Sequence, residues 1–398
     1  MELILFRKNE ITLDLFENQI LLNYSSTFQL KNEKYGNYTD LDKTKCLIDT
    51  LDKEAESYRR AAAKYLHEFE LVKILCKKQV ISRSYFKLYE MVYHEPLVSQ
   101  LDPLHCFFIC EAPGGFIESL SDIRRKKNLR LNYVSVSKYD QCIKYDRYLE
   151  ESQLMYSDVT LPDNILQIIT KVMSQFPNKL DFITADGGFD IKNFNAQEII
   201  SAKLLLCEMY LGLSTQKCGG MFVIKFFDMF THNSIVYYLL LCAHYKYVKI
   251  IKPCTSRNCN SERYLVCYDF LGCSQKMLEC LWHCIVHFKS EQNTTTVLFP
   301  NIVLPDLSKL TSFNNVMVYE QIKTIKESIK MVQHKDHYFQ NMLLNIFLER
   351  KYKKSALIYD SITIFKNILQ TRIKKCTDFL RKYNININQI VYQLSKLN

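Results

Sequence analysis

Four charged residues lie far apart in the chain, and each falls near the end of a predicted helix or strand: Lys87, Asp186, Lys225 and Glu262. A glycine turn, Glu111-Ala-Pro-Gly-Gly115, comes between the first two. Two ammonium groups and two carboxylates can pair with one another and tune the protonation of a nearby hydroxyl. We therefore treat the four residues as a candidate Lys-Asp-Lys-Glu catalytic set.

The glycine turn indicates a nucleotide-like ligand. Glycines let the backbone approach a ligand closely, and a helix that starts directly after a strand begins at that ligand. Together with the four charges, the turn suggests transfer of a methyl group from S-adenosylmethionine to a ribose hydroxyl. For the glycines alone, a tight strand-to-helix turn that binds nothing is the alternative.

Each of the four charges has an expected role in this reaction. A lysine inside the apolar strand Met221–Phe226 is costly to bury unless it is paired, so Lys225 is the strongest candidate. Lys225 could take up the proton of the ribose hydroxyl, or its charge could stabilise the oxygen as this proton leaves. Lys87 and Glu262 would orient Lys225, and Asp186 would lie between them and the methyl donor. No metal is required, because the leaving group departs as a neutral thioether and orientation does most of the work.

Asp158 is a further acidic candidate, since it follows the third predicted strand. A carboxylate there could hydrogen-bond an adenine amino group or a ribose. An ordinary N-cap for the helix that begins past Pro162 is the alternative. From the sequence alone, both interpretations stay open.

Short apolar strands alternate with helical segments from His105 onward, which predicts parallel β-α units in an open three-layer sheet. The predicted strands are His105–Cys110, Asn132–Val136, Gln153–Tyr156, Leu180–Ala185, Met221–Phe226, Tyr247–Ile251 and Tyr264–Tyr268. The helices between them are Phe116–Lys127, Asn164–Gln175, Asn195–Thr215 and Asn233–His244. The expected fold is therefore α/β, a Rossmann-like seven-stranded methyltransferase sheet flanked by helices, with its last strand inserted antiparallel.

Extensions are expected at both ends of this domain, which we place at residues 79–274. Residues 1–78 contain a predicted amphipathic helix over Leu47–Lys78, and a second helix over Ser82–Val92 carries Lys87. Residues 275–398 have no further predicted strands and are mostly helical. Their basic clusters indicate either an exposed helix surface or an RNA-contacting face: Lys351, Lys353 and Lys354; Arg372, Lys374 and Lys375; Arg381 and Lys382.

Composition narrows the class of protein. The chain has 398 residues, 48% of them hydrophobic, and a formal charge of +10, which favours a polyanionic partner. The first residues lack the pattern of a signal peptide, and the longest apolar run, near Tyr237–Ala243, is too short to span a bilayer. We expect a soluble, intracellular protein with no membrane contact, in the cytoplasm or the nucleus.

The fifteen cysteines are spread over predicted strands and helices without any CxxC pair, which favours reduced, buried thiols. The pattern nearest to a zinc site has four residues on one predicted helix face, Cys280, His283, Cys284 and His287. Two further cysteines, Cys254 and Cys259, lie upstream. The pattern lacks the usual paired-ligand spacing, so we predict no metal.

The ordered motifs resemble the FtsJ/RrmJ-like ribose 2′-O-methyltransferases, and within them the mRNA cap branch. The matching segments cover roughly residues 80 to 270: Ser82–Lys87, Glu111–Phe116, Ser157–Thr160, Ala185–Gly188, Val223–Phe230 and Lys252–Tyr264. The resemblance implies that Lys87, Asp186, Lys225 and Glu262 form the catalytic tetrad. It also implies an S-adenosylmethionine pocket that includes Ser82, Gly114, Gly115, Phe116, Asp158 and Asp186.

The same resemblance implies a substrate and partners. The first nucleotides of 7-methylguanosine-capped mRNA would be methylated, from cap 0 to cap 1, alongside capping or transcription proteins. Methylation of ribosomal or transfer RNA is one alternative, and a catalytically inactive RNA-binding or polymerase-associated subunit is another. One departure from the pattern is that the second strand ends at Lys138, where many methyltransferases place an acidic residue on the cofactor ribose. The Lys-, Asn- and Ile-rich composition suits a large DNA virus or another AT-rich genome.

Overall fold

A computed structural model describes residues 2–7, 28–30, 35–36, 38–51, 53–138, 154–189, 193–289, 295–299, 304–333 and 359–387. Its strands are β1 Glu2–Arg7, β2 Phe28–Leu30, β3 Leu104–Ile109, β4 Leu131–Ser137, β5 Leu154–Tyr156, β6 Leu180–Ala185, β7 Gln216–Phe227, β8 Tyr245–Ile251, β9 Glu262–Phe270 and β10 Thr295–Val297. The cluster Lys351, Lys353 and Lys354 lies outside the described residues.

The helices are α1 Thr39–Asp49, α2 Lys53–Leu66, α3 Val72–Leu75, α4 Ser84–Val92, α5 Pro96–Gln100, α6 Gly115–Arg125, α7 Pro162–Gln175, α8 Gln197–Thr215, α9 His232–His244, α10 Gln275–His287, α11 Ser308–Gln333 and α12 Tyr359–Lys382. A short 3₁₀ turn, Phe194–Ala196, precedes α8. No helix in the described part of the chain is long and apolar enough to cross a bilayer.

The central sheet confirms the predicted α/β fold. Its strand order is β1-β8-β9-β7-β6-β3-β4-β5. Strands β5, β4, β3, β6 and β7 run parallel, and β9 is inserted antiparallel between β7 and β8, as predicted. The N-terminal strand β1, which the sequence analysis did not predict, adds an eighth strand antiparallel to β8.

Burial on both faces explains why the parallel strands are almost continuously apolar. In β3, Phe107 and Ile109 join one core cluster, whereas Cys106 and Phe108 join the other, as the two-residue repeat of a strand requires. The first cluster packs under α7 to α10, and the second packs under α4, α6 and the end of α12. The two layers hold the carboxyl ends of the parallel strands at one edge of the sheet.

The extensions differ from prediction in two respects. Instead of one helix over Leu47–Lys78, the chain forms α1, α2 and α3, with turns between them. The hydroxyl of Thr50 donates to the backbone oxygen of Leu47 at 2.8 Å, which helps to end α1. Beyond Gln275 the chain also forms the short strand β10, which pairs with β2. Helix α11 packs against both α1 and α2, and Ile48 lies against Ile325 and Ile329.

Candidate active site

Four different elements bring the predicted catalytic residues to one edge of the sheet. Lys87 lies on α4, Asp186 directly follows β6, and Lys225 lies near the end of β7. Because β9 runs antiparallel to β7, its first residue, Glu262, is paired with Phe227 at the end of β7. The strand order therefore converts four distant positions into neighbours.

The four side chains form two ion pairs. Nζ of Lys87 lies 2.6 Å from Oε1 of Glu262, and Nζ of Lys225 lies 3.1 Å from Oδ1 of Asp186. The Lys225 ammonium also donates to the backbone oxygen of Asp186 at 2.6 Å. All four side chains are largely buried, so solvent screens these charges only weakly.

The charges of the site set the protonation of its members. Burial would raise the pKa of Glu262, but the ammonium groups of Lys87, Lys225 and Lys252 outweigh burial and bring this pKa to about 2. Burial would lower the pKa of Lys225, but Asp186 and Glu262 raise it above its ordinary value. Lys225 is therefore an ammonium at neutral pH. This charge state favours stabilisation of negative charge over uptake of a proton.

Two neighbouring hydroxyl groups, which the sequence analysis did not name as site residues, hold the carboxylates. The buried Tyr264 hydroxyl donates to Oδ1 of Asp186 at 2.9 Å, and the Ser256 hydroxyl donates to Oε1 of Glu262 at 2.8 Å. Glu262 and Tyr264 are two residues apart on β9, so the strand period places them on one face. That spacing could have identified Tyr264 from the sequence.

The glycine turn connects β3 to α6. Gly114 has a φ of +107° and precedes the first residue of the helix, Gly115. A Cβ on Gly115 would lie 2.0 Å from the hydroxyl of Ser84 and 2.2 Å from that of Ser82. These two hydroxyls hydrogen-bond each other. The turn therefore requires glycine at both positions, and it brings Ser82 against the start of α6.

Phe116 and Glu111 support this turn from within. The Phe116 ring is fully buried in the core, and its role as a cofactor residue stays a prediction. Its backbone N–H donates to Oε1 of Glu111 at 2.5 Å. Burial, reinforced by Asp186, raises the pKa of Glu111 well above its ordinary value. Oε2 of Glu111 is buried without a hydrogen-bond partner among the described residues.

Asp158 follows β5 and is partly exposed. Its Oδ1 accepts from the backbone N–H of Thr160 at 2.9 Å and from the Thr160 hydroxyl at 2.6 Å. Helix α7 begins at Pro162 with Leu161 at the N-cap position, so the N-cap interpretation of Asp158 is wrong. Nζ of Lys138 lies 3.5 Å from its other oxygen. Lys138 thus contributes a charge at the position where an acidic residue was expected.

A cavity of about 480 Å³ opens beside Glu262. Five cationic side chains line it, together with three phenylalanines: Lys45, Arg59, Arg60, Lys64 and Arg257; Phe189, Phe194 and Phe227. Several of the cations have acidic partners. Arg257, for example, forms two hydrogen bonds with Glu70. Arg60 is 68% exposed and Lys64 is also exposed, so both can still contact a ligand.

The cysteines named in the zinc alternative lie in different surroundings. Cys280 and Cys284 are buried in the core beside α8 and α9. Cys254 donates through its thiol and its backbone N–H to Glu90. Among the residues that the structure describes, no group of three or more His, Cys, Asp or Glu side chains could hold a metal ion.

Comparison with known proteins shows which proteins this chain is similar to. Residues 80–270 match the model of the FtsJ-like methyltransferases. Cap-specific mRNA (nucleoside-2′-O-)-methyltransferase 1 of Mus musculus is 30% identical over 276 residues, which are 65% of this chain and 32% of that protein. The Homo sapiens protein of the same name is 35% identical over 230 residues, 54% of this chain and 27% of that protein. Methyltransferase 2 of Mus musculus is 28% identical over 354 residues, 82% of this chain and 44% of that protein.

The chain thus spans less than half the length of these curated relatives. Among solved structures, a ribosomal RNA methyltransferase from Plasmodium falciparum matches 48% of this chain and 99% of its own, at 19% identity and a TM-score of 0.38. The three relatives named above come from Mus musculus and Homo sapiens, and the viral source suggested by the composition is not borne out. The match to the FtsJ-like methyltransferases is thus confined to residues 80–270, just under half of the chain.

Proposed function

We propose that this protein transfers a methyl group from S-adenosylmethionine to a ribose 2′-hydroxyl of RNA, within the first nucleotides of capped mRNA. The observation that carries the proposal is the pair of ion pairs Lys87–Glu262 and Lys225–Asp186 at the carboxyl edge of an FtsJ-like sheet. Ligands of open α/β sheets bind at this edge. We also propose that the chain consists of an N-terminal extension, residues 1–78, a methyltransferase domain, residues 79–274, and a C-terminal region, residues 275–398.

The turn after β3 fits the proposed cofactor. Gly114 and Gly115 carry no side chains of their own at the start of α6, and the space that a Cβ on Gly115 would take is occupied by the hydroxyls of Ser82 and Ser84. A nucleotide-like ligand needs close approach to the backbone. The carboxylate of Asp158, at the end of β5, is partly exposed and can accept a hydrogen bond from an adenine amino group or a ribose hydroxyl. Ser82 would support the turn, and Phe116 would do so from the core.

S-adenosylmethionine, held at the glycine turn and Asp158, would supply an electrophilic methyl group, and its sulfonium would become a neutral thioether as the methyl leaves. The Lys225 ammonium would stabilise the negative charge that develops on the ribose oxygen as its proton passes to water. Asp186, fixed by the Tyr264 hydroxyl, would hold Lys225 in place. Lys87 and Glu262 would orient the ribose from the other side. In this mechanism the tetrad acts by position and charge.

The basic cavity supports RNA as the substrate. It borders Glu262, so a polynucleotide lying in it would bring a ribose to the tetrad. Arg60 and Lys64 can contact phosphates, and phenylalanine rings can stack on splayed bases. The three sequence relatives reported above are named cap-specific mRNA methyltransferases, which favours a 7-methylguanosine cap over ribosomal or transfer RNA. We also predict that the protein acts with a capping or transcription protein and that it is located inside the cell.

A methyl-transfer assay separates the candidate functions. The protein is incubated with labelled S-adenosylmethionine and with RNAs that differ only in the 7-methylguanosine cap. Label on capped RNA alone supports the proposal, and label on both RNAs supports a ribosomal or transfer RNA enzyme. Cofactor binding without label on either RNA supports an inactive subunit.

Two lysines on one strand provide the matched variants. Lys225→Ala should lower the rate by about 10²–10³, because it removes a preorganised charge from the reacting oxygen. Lys217→Ala, at the exposed start of β7, should leave the rate unchanged. Equal loss in both variants would mean that the substitutions disturb the strand and not the chemistry.

A further inference from the structure

A buried carboxyl group lies directly behind the Asp186 turn. Glu208, on α8, is 0% exposed, and its Oε1 accepts a hydrogen bond from the backbone N–H of Gly187 at 3.1 Å. A Cβ on Gly187 would lie 2.1 Å from this oxygen, so only glycine allows the approach. The second carboxyl oxygen of Glu208, Oε2, is buried as well.

Charged and titratable groups face Glu208 from several elements. Lys225 approaches from β7, Asp186 from the end of β6, and Cys110 from the end of β3. On its own helix the neighbouring group is Cys207. A second buried acid, Glu111, faces Asp186 from the glycine turn. The ammonium of Lys225 thus faces four carboxyl groups, namely Asp186, Glu262, Glu208 and Glu111, of which Glu262 is also paired with Lys87.

Lys225 cannot neutralise Asp186, Glu208 and Glu111 together. Its ammonium is already paired with Asp186 at 3.1 Å. An ionised Glu208 would be a second buried negative charge without its own counterion, which is costly. Burial, the largest cause, raises the pKa of Glu208 to about 8, although the charge of Lys225 opposes this shift. Glu208 therefore keeps its proton at neutral pH.

We propose that Glu208 is a positioning residue: as a neutral acid it holds Gly187, and through it Asp186, without adding a second negative charge beside Lys225. Glu208 itself does not reach the reacting atoms. Its effect on methyl transfer rests on the proposed function of the tetrad. Once Glu208 ionises, its charge opposes the negative charge that develops on the ribose oxygen, so the rate falls.

Two substitutions test the proposal in the full-length protein. Glu208→Gln keeps an acceptor for Gly187 but cannot ionise, so its kcat should stay within about threefold of wild type at neutral pH. The wild-type kcat should fall above a pH of about 8, the pKa of Glu208, and Glu208→Gln should lack this fall. Glu208→Leu leaves the Gly187 N–H without an acceptor, so its kcat should drop about tenfold at every pH. Glu327→Gln, the same substitution on the exposed face of α11, should match wild type.

A persistent fall of kcat above pH 8 in Glu208→Gln would overturn the proposal. Equal activities of the Gln and Leu variants would also overturn it, because the hydrogen bond to Gly187 would then have no effect.

Thermal unfolding provides a readout that needs no activity. An acid whose pKa is raised in the folded state loses its stabilising contribution as pH rises from 4.5 to about 8. The melting temperature of Glu208→Gln minus that of wild type should therefore increase as pH rises over this interval. A difference that does not change with pH would contradict the proposal that Glu208 is neutral. If this difference follows pH while the wild-type protein transfers no methyl group, the proposed function fails but the charge state of Glu208 holds.

Discussion

Lys87 and Glu262 form a salt bridge of 2.6 Å between α4 and the first residue of β9. The pair joins α4, which precedes the parallel strands in the chain, to β9, the antiparallel strand between β7 and β8. Ser256 adds a hydrogen bond to the same carboxylate oxygen, and Lys252 donates to the backbone oxygen of Glu262 at 2.6 Å. Glu262 is therefore held by its side chain and by its backbone.

The first prediction concerns Glu262 and acid stability. Its pKa is lowered from 4.5 to about 2 in the folded protein, so it stabilises the fold by about 3 kcal/mol above pH 4.5. This contribution is lost as pH falls through about 2. Glu262→Gln should therefore show a flatter dependence of the free energy of unfolding on pH in this interval, measured by urea denaturation.

The matched control for this experiment is Glu279→Gln, because Glu279 is exposed on α10. It should follow the wild-type pH dependence. Identical acid dependence of wild type and Glu262→Gln would contradict the strong pairing of Glu262 with the lysines.

The second prediction concerns the glycine turn. Gly115→Ala should weaken S-adenosylmethionine binding at least about tenfold and destabilise the fold by about 1–3 kcal/mol, because its Cβ would overlap the hydroxyls of Ser82 and Ser84. Isothermal titration with the cofactor measures the first effect. Ser84→Ala, which removes one hydroxyl without adding a clash, is the control. Wild-type affinity in Gly115→Ala would place the cofactor away from this turn.

The sequence predicts those parts of the site that depend on local pattern. Apolar runs bounded by turns mark β3, β6 and β7, because a strand buried on both faces is continuously apolar. Lys225 stands out for the same reason, since a charge inside such a strand requires a partner. The structure supplies that partner as Asp186, at the end of the neighbouring strand.

Other parts depend on tertiary contacts that no local pattern encodes. Helix α8 is buried on nearly all sides, so its periodicity does not show that Glu208 faces the Asp186 turn. Strand β1 forms because it pairs with β8 near the other end of the domain. The apolar stripe over Leu47–Lys78 does not reveal the turns between the helices. The residues of the stripe on α1 and α2 both pack against α11, so the pattern looks continuous in the sequence.

The third prediction concerns a buried charge network between the extensions and the sheet. Nζ of Lys45 lies 2.9 Å from Oδ2 of Asp228, and both side chains are 5% exposed. A guanidinium nitrogen of Arg263 lies 4.0 Å from the other carboxylate oxygen. Asp228→Ala leaves two buried cations without this partner, so it should lower the free energy of unfolding by about 3–5 kcal/mol.

Asp269 provides the control for this loss. It pairs with Lys246 at 3.4 Å, but both side chains are at least half exposed. Asp269→Ala should cost at most about 1 kcal/mol. Similar losses for the two variants in urea denaturation would show that the network around Asp228 is not a desolvated ion pair.

The fourth prediction separates two candidate RNA surfaces. Removing the chain after Pro305 is a poor test of the basic tail, because α12 contributes buried Ile373, Phe379 and Leu380 to the core. Charge neutralisation leaves this packing intact. Arg60→Gln with Lys64→Gln changes the cavity beside Glu262, whereas Lys374→Gln with Arg381→Gln changes the exposed face of α12.

If RNA lies in the cavity, the first double variant should bind capped RNA at least tenfold more weakly. Its plot of log affinity against log salt should flatten by about 0.7 for each lost phosphate contact. The α12 double variant, with the same change in net charge, should keep both the affinity and the slope. Fluorescence anisotropy over a salt series measures both quantities, and S-adenosylmethionine affinity should not change in either variant. A larger loss of affinity and slope in the α12 variant than in the cavity variant would instead assign the main RNA contact to α12.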